Sequence, residues 1–270
     1  MSANNIKTMS KGGIQKLKKV NVDAIEFGDV STNQYGGKFV NINFDGANKL
    51  QLPNLPTYGI QCYEDQNSGK KNFTITLKFS REDLETNKEV KQTFDKLLEI
   101  QTKIKELLKD RSQEFFKKKN ASKDFIDACF TDFIKESKNK ETDEPDGRYY
   151  NIKIKVTQSK DKETGELKDN FICKFYNDKK EKLVDSNGEE ITSKNSAEIG
   201  FGSEALCTIM PGSLWFMAGN KAGVSWNLHQ AVVKPVGPYK GNDTCQLVES
   251  SEEGDDTSDG SDDESDDDTK

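Results

Sequence analysis

The sequence predicts a mainly β protein, a barrel with a helical insertion or cap, followed by a disordered acidic C-terminal tail. Three observations lead to this fold class. Alternating apolar and polar residues mark strands in both halves of the chain, a helical period separates the two halves, and acidic residues are concentrated at one end. Strands, then helices, then strands again is an order that suits a barrel with a helical cap.

Strand patterns come in two groups. Alternation of this kind is typical of strands with one buried face. In the first group, Val40, Ile42 and Phe44 share one face, and in the second group Tyr150, Ile152, Ile154 and Val156 do the same. The predicted strands cover residues 38–44, 58–63, 73–79, 148–156, 171–176, 205–210 and 223–234. An aromatic loop over residues 211–217 is predicted between the last two strands.

A helical period replaces the alternation between these groups. Val90, Phe94, Leu97, Ile104 and Leu108 fall on one stripe of a long helix. A second amphipathic helix is predicted by the apolar residues between 125 and 134. We therefore predict a helical insertion over about residues 86–137, within one domain that covers residues 21–240.

Charge is distributed unevenly between the body and the end of the chain. Residues 249–270 contain 12 Asp and Glu and one Lys, a net charge of −11, and subtracting this from −7 leaves +4 for residues 1–248. Because no apolar residue follows Val248, the tail cannot bury a core and is predicted to be disordered. Residues 1–20 are polar and rich in lysine, and they are predicted to form a basic, flexible N-terminal arm.

The composition gives no sign of enzyme chemistry. His229 is the only histidine, and the five cysteines show no zinc spacing, so we expect no catalytic residues, no metal site and no cofactor. No apolar run approaches the roughly 18 residues of a membrane span, and the first residues do not resemble a signal peptide. We expect an intracellular, soluble protein that does not bind membranes.

Two predicted strands carry lysine and tyrosine on the face opposite their apolar residues. Tyr149, Lys153 and Lys155 lie on the first strand, and Lys174 and Tyr176 lie on the second. Unpaired nucleic acid needs cations for its phosphates and flat π-surfaces for its bases, and such a face supplies both. Lysine is also common on an ordinary solvated sheet face. The pattern alone therefore favours neither a DNA-binding face nor a solvated one.

The loop near residue 215 is the second candidate for contact with bases. Trp215 and Phe216 could stack on a base and Lys221 could contact a phosphate, whereas packing into the core is the alternative for each aromatic ring. Trp226 alternates with Val224 and Leu228, so we predict that its indole belongs to the core.

The second half of the chain resembles the single-stranded DNA-binding proteins of short-tailed coliphages, the T-seven type, which have relatives in large DNA viruses. The resemblance is carried by the run from Asp146 to Lys155, by Gly200-Phe-Gly-Ser203, by residues 205–215, by Gly223-Val-Ser-Trp-Asn-Leu228 and by the acidic tail. It implies an OB-fold that coats DNA, with a tail that contacts replication proteins and competes with DNA. The chain departs from the family in the additional segment 121–139 and in a tail without a terminal aromatic residue.

The sequence therefore predicts an OB-fold protein that binds single-stranded DNA without sequence preference in replication, recombination and repair. The resemblance implies that the tail binds replication proteins such as a polymerase or a helicase-primase. It also implies a viral protein of the host cytoplasm or nucleus, and formation of homo-oligomers is possible. A chaperone of histones or other basic proteins, acting through its acidic tail, is the alternative.

Overall fold

The computed structural model describes residues 13–236 except 34, 35, 45, 47, 67, 68 and 140; the predicted tail, residues 249–270, lies outside the described part. The described strands are β1 (Ile14–Lys16), β2 (Ile25–Thr32), β3 (Lys38–Phe44), β4 (Lys49–Glu64), β5 (Lys71–Ser80), β6 (Phe130–Thr131), β7 (Ile134–Lys138), β8 (Pro145–Val156), β9 (Gln158–Lys160), β10 (Leu167–Phe171), β11 (Lys174–Tyr176), β12 (Glu204–Met217) and β13 (Lys221–Lys234). The described α-helices are α1 (Arg81–Thr86), α2 (Lys88–Asp110), α3 (Ser112–Phe116) and α4 (Lys123–Cys129).

Five long strands pair in a closed circuit. β4 pairs with β5, β5 with β8, β8 with β13 and β13 with β12, and β12 pairs again with β4. All these pairings are antiparallel except the pairing of β8 with β13, which is parallel. This is the connectivity expected of an OB-type fold, which has five strands, so the predicted mainly β fold of this class is confirmed.

The helices lie between β5 and β8, where the sequence predicted an insertion. Asn87 caps α2, because its Oδ1 accepts hydrogen bonds from the amides of Glu89 and Val90. The apolar stripe of α2 covers the sheet, and the Phe94 ring lies 5.4 Å from that of Phe79 and 4.9 Å from that of Tyr150. The insertion is therefore held by burial of one helix face.

The predicted bounds of the insertion, residues 86–137, need correction. The helices begin at Arg81 and end at Cys129, and Phe130 and Ile134, which follow, belong to strands. Ile134, predicted to be helical, pairs with Ile152 of β8 instead. A short apolar run fits a helix and a strand equally well, and pairing with a distant strand decides between them.

The basic arm predicted for residues 1–20 is wrong at its C-terminal end. β1 pairs in parallel with β4, and Leu17 and Val20 are buried in the core. Burial of these two apolar side chains stabilises an ordered start of the domain, since each removes its surface from water. The other part of the predicted arm, residues 1–12, lies outside the described residues.

One cluster of buried apolar side chains connects the circuit strands to α2. Trp226 belongs to it, as predicted: it is 1% exposed and its ring lies 5.4 Å from that of Phe133 and 6.0 Å from that of Phe44. In the described part of the chain, no helix is long and apolar enough to cross a membrane. The same residues contain no group of three or more His, Cys, Asp or Glu side chains placed to hold a metal ion.

Candidate nucleic-acid interface

The outer face of β5 and β8 carries the polar residues that the alternation predicts. Lys153 and Lys155 are exposed, whereas Ile152 and Ile154, which alternate with them, are fully buried. In the antiparallel pairing, Lys153 lies opposite Thr76 of β5, and Lys155 lies opposite Thr74. Residues opposite one another in a sheet share a face, so the exposed lysines of β8 lie beside threonines of β5. Thr74 is half-buried, whereas Thr76 is buried and its hydroxyl donates to Gln61 Oε1.

A cleft forms where β8 meets β13. The two strands pair at a single position, Lys155 with Asn227, and elsewhere they separate. The segment from Phe130 to Lys138 lies beside both, since β6 pairs with Ala222 and Gly223 of β13 and β7 pairs with β8. The junction is therefore bordered by three parts of the chain that are distant in sequence.

We call this cleft the basic cleft, and its volume is about 360 Å³. It is lined by Asn72, Phe73, Thr74, Thr131, Asp132, Phe133, Lys135, Asn151, Lys153, Lys155, Trp215, Val224, Ser225 and Trp226. The structure thus brings together three of the predicted site residues: Lys153, Lys155 and Trp215.

The electrostatic balance of the basic cleft is positive. Lys135, Lys153 and Lys155 are exposed, and none of them forms an ion pair with another described residue. The single acidic residue of the lining, Asp132, is paired with Lys105, whose Nζ lies 2.8 Å from its Oδ1. Three unpaired ammonium groups around one opening make a site that attracts phosphate.

Trp215 contributes the aromatic surface of the basic cleft. It is half-buried on β12 and lies opposite Gly223 of β13 in the antiparallel register. A Cβ atom on Gly223 would approach the indole Cζ2 atom to 2.4 Å, so glycine at this position is what allows the ring to lie over the neighbouring strand. The loop predicted for residues 211–217 is wrong, because β12 continues through Met217 with a register shift between Pro211 and Leu214.

Phe216 does not line the basic cleft. Its ring stacks on that of Phe115, with 5.1 Å between centroids, and lies 5.9 Å from that of Phe116. Successive residues of a strand point to opposite faces, so Trp215 and Phe216 cannot both contact one ligand. Phe216 connects β12 to α3.

Lys221 is also occupied elsewhere. Its Nζ donates a hydrogen bond of 2.8 Å to the backbone carbonyl of Ala128 in the last turn of α4. A cation at a helix C-terminus is stabilised by the unpaired carbonyl groups there. The structure therefore places Lys221 in a contact that fixes α4 to β13.

Lys174 and Tyr176 lie on β11, which pairs with a part of β13 that the basic cleft does not reach. The sequence placed their strand next to that of Lys153, but β11 and β8 do not pair with each other. β11 pairs in parallel with residues 230–232 of β13, whereas β8 meets β13 at Asn227. The Lys174 ammonium lies 3.8 Å from Glu190, which offsets its charge.

Tyr149 lies on the same face of β8 as Lys153 and Lys155, four residues before the first of them. Its hydroxyl forms a hydrogen bond with the hydroxyl of Tyr58 on β4, and the two ring centroids are 6.0 Å apart. Burial, followed by this hydrogen bond, raises the pKa of Tyr58 well above its usual range. The Tyr58 phenol therefore stays neutral at neutral pH.

Several polar residues of the basic cleft, among them Asn151, Thr74 and Lys135, were missing from the sequence-based prediction. The alternation of the strands predicts that Asn151 and Thr74 face outward. They were not selected because neither is a cation or an aromatic residue. Lys135 was assigned to a helix and is in fact exposed on β7, opposite Asn151. Only the pairing of β7 with β8 brings its charge to the cleft.

These features define a class: a mainly β protein of OB-type connectivity with a basic, aromatic cleft beside its second and third circuit strands. No protein-family model and no curated protein matches the chain. Among solved structures it is similar to the single-stranded DNA-binding protein from bacteriophage Enc34 in complex with ssDNA, with 15% identity, 78% of this chain and 97% of that chain covered, and a TM-score of 0.40. It is also similar to gp2.5, a single-stranded DNA-binding protein encoded by bacteriophage T7, with 11% identity, 72% and 90% coverage and a TM-score of 0.45.

Proposed function

We propose that this protein binds single-stranded DNA without sequence preference, and that the basic cleft holds the strand. The observation that carries the proposal is the convergence of Lys135, Lys153 and Lys155 with the indole of Trp215 around one opening. Lysines neutralise phosphates, and an indole stacks on any base, because every base has a π-face. The outer face of the second and third strands is also where OB-folds bind oligonucleotides.

The residues of the basic cleft favour single strands over duplexes. The Trp215 ring can stack on a base only when that base is unpaired and turned out of a helix. The lysines are point charges that contact phosphates, and phosphate contacts carry no sequence information. We therefore infer binding that discriminates strongly by strandedness and weakly by base.

Such a protein coats and protects single strands during replication, recombination and repair. In this proposal the tail, residues 249–270, competes with DNA for the basic cleft and recruits replication proteins such as a polymerase or a helicase-primase. Its net charge of −11 on 22 residues supports both roles, because a tethered polyanion near a basic surface acts at high effective concentration. The tail lies outside the described residues, so its role rests on the sequence.

Titration of the full chain with fluorescently labelled oligo-dT tests the proposal. We expect micromolar or tighter affinity that falls steeply with salt, quenching of tryptophan fluorescence, and little competition from duplex DNA of the same length. An affinity that does not change with salt would contradict phosphate binding. Equal competition by duplex DNA would contradict stacking on unpaired bases.

The same titration separates DNA binding from the alternative of a histone chaperone. A chaperone that acts through its tail should bind core histones, lose this binding when residues 249–270 are removed, and ignore oligo-dT. A protein that binds oligo-dT with or without its tail fits the proposed function. Substitution of the basic cleft residues should then affect the oligonucleotide and leave histone binding unchanged.

A further inference from the structure

A group of aromatic side chains lies next to the basic cleft. These side chains neither line the cleft nor belong to the buried core. Phe201 is 61% exposed, and its ring centroid lies 5.6 Å from that of Tyr58. Tyr58 in turn contacts Tyr149, and the Nζ of Lys78 lies 4.8 Å from the Tyr58 ring and 5.0 Å from the Phe201 ring. We call these four residues, Tyr58, Lys78, Tyr149 and Phe201, the aromatic shelf.

Phe201 is held in place by backbone hydrogen bonds on both sides. The Ile60 amide donates to the carbonyl of Ile199 at 2.9 Å, and the Gly202 amide donates to the carbonyl of Thr57 at 3.1 Å. The Thr57 amide donates to the carbonyl of Ser203 at 2.8 Å. An exposed phenylalanine on a segment fixed in this way is a preorganised surface and needs little ordering on binding.

Gly59 makes this approach possible. It has a φ of +79°, at a register shift in the pairing of β4 with β5, and a Cβ atom there would come within 2.2 Å of the Ile199 carbonyl oxygen. Glycine adopts this conformation at no steric cost, and the shift turns β4 toward the segment that carries Phe201. The fold therefore places Phe201 beside Tyr58 through a specific backbone feature.

The aromatic shelf and the basic cleft share one continuous face. Lys78 lies opposite Asn151 in the β5–β8 register, and Asn151 lines the basic cleft. Tyr149 and Lys155 lie on the same face of β8, six residues apart, which is about 20 Å at roughly 3.3 Å per residue. At about 3.4 Å per stacked nucleotide, this distance corresponds to roughly six nucleotides.

The charge of the aromatic shelf is also suited to a polyanion. Lys78 is half-buried, burial lowers the pKa of its ammonium group, and it forms no ion pair with any residue in the described part of the chain. Its contacts are the faces of the aromatic rings. Burial removes part of the hydration of the Lys78 ammonium group, and no carboxylate replaces it. An approaching phosphate would therefore stabilise its charge.

We propose that the aromatic shelf is a second base-stacking subsite for the same DNA strand, reached after the strand leaves the basic cleft. This inference rests on the proposed function and adds the path of the strand along β8. One or two bases stack on Phe201 and the neighbouring tyrosines, and Lys78 contacts the phosphate between them. The site of the protein is then longer than the basic cleft alone.

A length series of oligo-dT, from dT4 to dT16, tests this proposal. A dT4 strand occupies only the basic cleft, whereas dT16 covers both subsites. We expect Phe201→Ala to weaken binding of dT16 by roughly 5- to 150-fold, the equivalent of about 1–3 kcal/mol for a stacked base, and to leave dT4 unchanged. Trp215→Ala should weaken binding at every length.

Two further variants serve as controls. Phe201→Tyr keeps an aromatic face and should restore binding of dT16, whereas Leu98→Ala removes an exposed apolar side chain on α2 and should change nothing. The second subsite is overturned if the wild type and Phe201→Ala bind dT16 equally, or if Phe201→Ala loses the same affinity for dT4 as for dT16. The proposed function stands in both cases. Failure of the wild-type protein to bind any oligo-dT overturns both.

Discussion

The basic cleft and the segment from residue 158 to residue 194 contain the same residue types in opposite electrostatic surroundings. In the basic cleft, three exposed lysines face one acidic residue, and that residue is already paired with Lys105. In the 158–194 segment each lysine that forms an ion pair has a carboxylate of the same segment. These pairs are Lys168 with Asp161, Lys174 with Glu190, Lys182 with Glu190 and Lys194 with Asp169.

This difference separates a surface that binds from a surface that is only solvated. A lysine beside a carboxylate has part of its field cancelled, and it must lose that partner before it neutralises a phosphate. Glu190 has its pKa lowered, first by its hydrogen bond with Lys182, so it stays charged at neutral pH. Alternation of lysine with apolar residues therefore identifies an outward face, and the nearby carboxylates decide whether that face attracts DNA.

Removal of the three cleft lysines should have the largest effect. Each phosphate contact contributes about −0.7 to the slope of log K against log salt for single strands, so Lys135→Ala, Lys153→Ala and Lys155→Ala together remove about two units of slope. If the variant and the wild type bind equally at about 1 M salt, this difference in slope makes the variant bind about 100-fold more weakly at about 0.1 M. Titrations at several salt concentrations, with circular dichroism to confirm folding, measure both quantities.

The matched control is a triple variant of the 158–194 segment with the same change of charge: Lys174→Ala, Lys182→Ala and Lys194→Ala. Its affinity and its salt slope should remain close to those of the wild type. If both triple variants lose affinity equally, overall charge rather than the basic cleft governs binding.

Trp215→Ala should have the next largest effect, a loss of about 1–3 kcal/mol for one stacked base. The loss should be similar for oligo-dT and for mixed sequences, and the fluorescence quenching on binding should decrease. Phe216→Ala is the informative neighbour. It removes a ring that packs on α3, so it should lower thermal stability and leave the affinity of the folded protein unchanged.

The Trp215 and Phe216 pair shows how far the sequence could define the site. If residues 211–217 formed a loop, as predicted, both rings could contact DNA. Because these residues form part of β12, only one of the two rings can face the cleft. Lys153 and Lys155 were predictable because a period of two fixes the outward face from local sequence alone. Lys135 was not, since its position depends on the pairing of β7 with β8, and apolar periodicity did not distinguish that strand from a helix.

The closed circuit itself also depends on non-local contacts. β12 pairs with β4 across about 150 residues of chain, with Ala205 opposite Leu55. Sequence patterns indicated a strand at residues 205–210, but the predicted strand at residues 58–63 does not include Leu55 and the other β4 residues that pair with β12. The patterns also contain no information about this register. The family resemblance supplied the expected arrangement, and the aromatic shelf remained hidden, because Phe201 is isolated in sequence from the tyrosines that it contacts.

Deletion of residues 249–270 should have a smaller effect in the opposite direction. Removing a charge of −11 that competes for the basic cleft should tighten oligo-dT binding several-fold at low salt, with little difference at high salt, where the competition is screened. Thermal stability in the absence of DNA should hardly change. Affinities that are equal at low salt would exclude a masking role and leave partner recruitment or solubility as the role of the tail.

The smallest effect is expected for Lys174→Ala, although the sequence ranked Lys174 with Lys153. The Lys174 ammonium lies 3.8 Å from Glu190, which also pairs with Lys182, so its removal leaves that carboxylate with one lysine and hardly changes the field at the basic cleft. We expect less than about a twofold change in oligo-dT affinity, within the range of an exposed ion pair.

Glu190→Gln provides the opposite test. It frees Lys174 and Lys182 from their shared carboxylate, and if the strand ran over β11 this variant would bind more tightly and with a steeper salt slope. Unchanged binding in both variants would exclude β11 from the path of the strand. A tenfold loss with Lys174→Ala would move the interface to the pairing of β11 with β13.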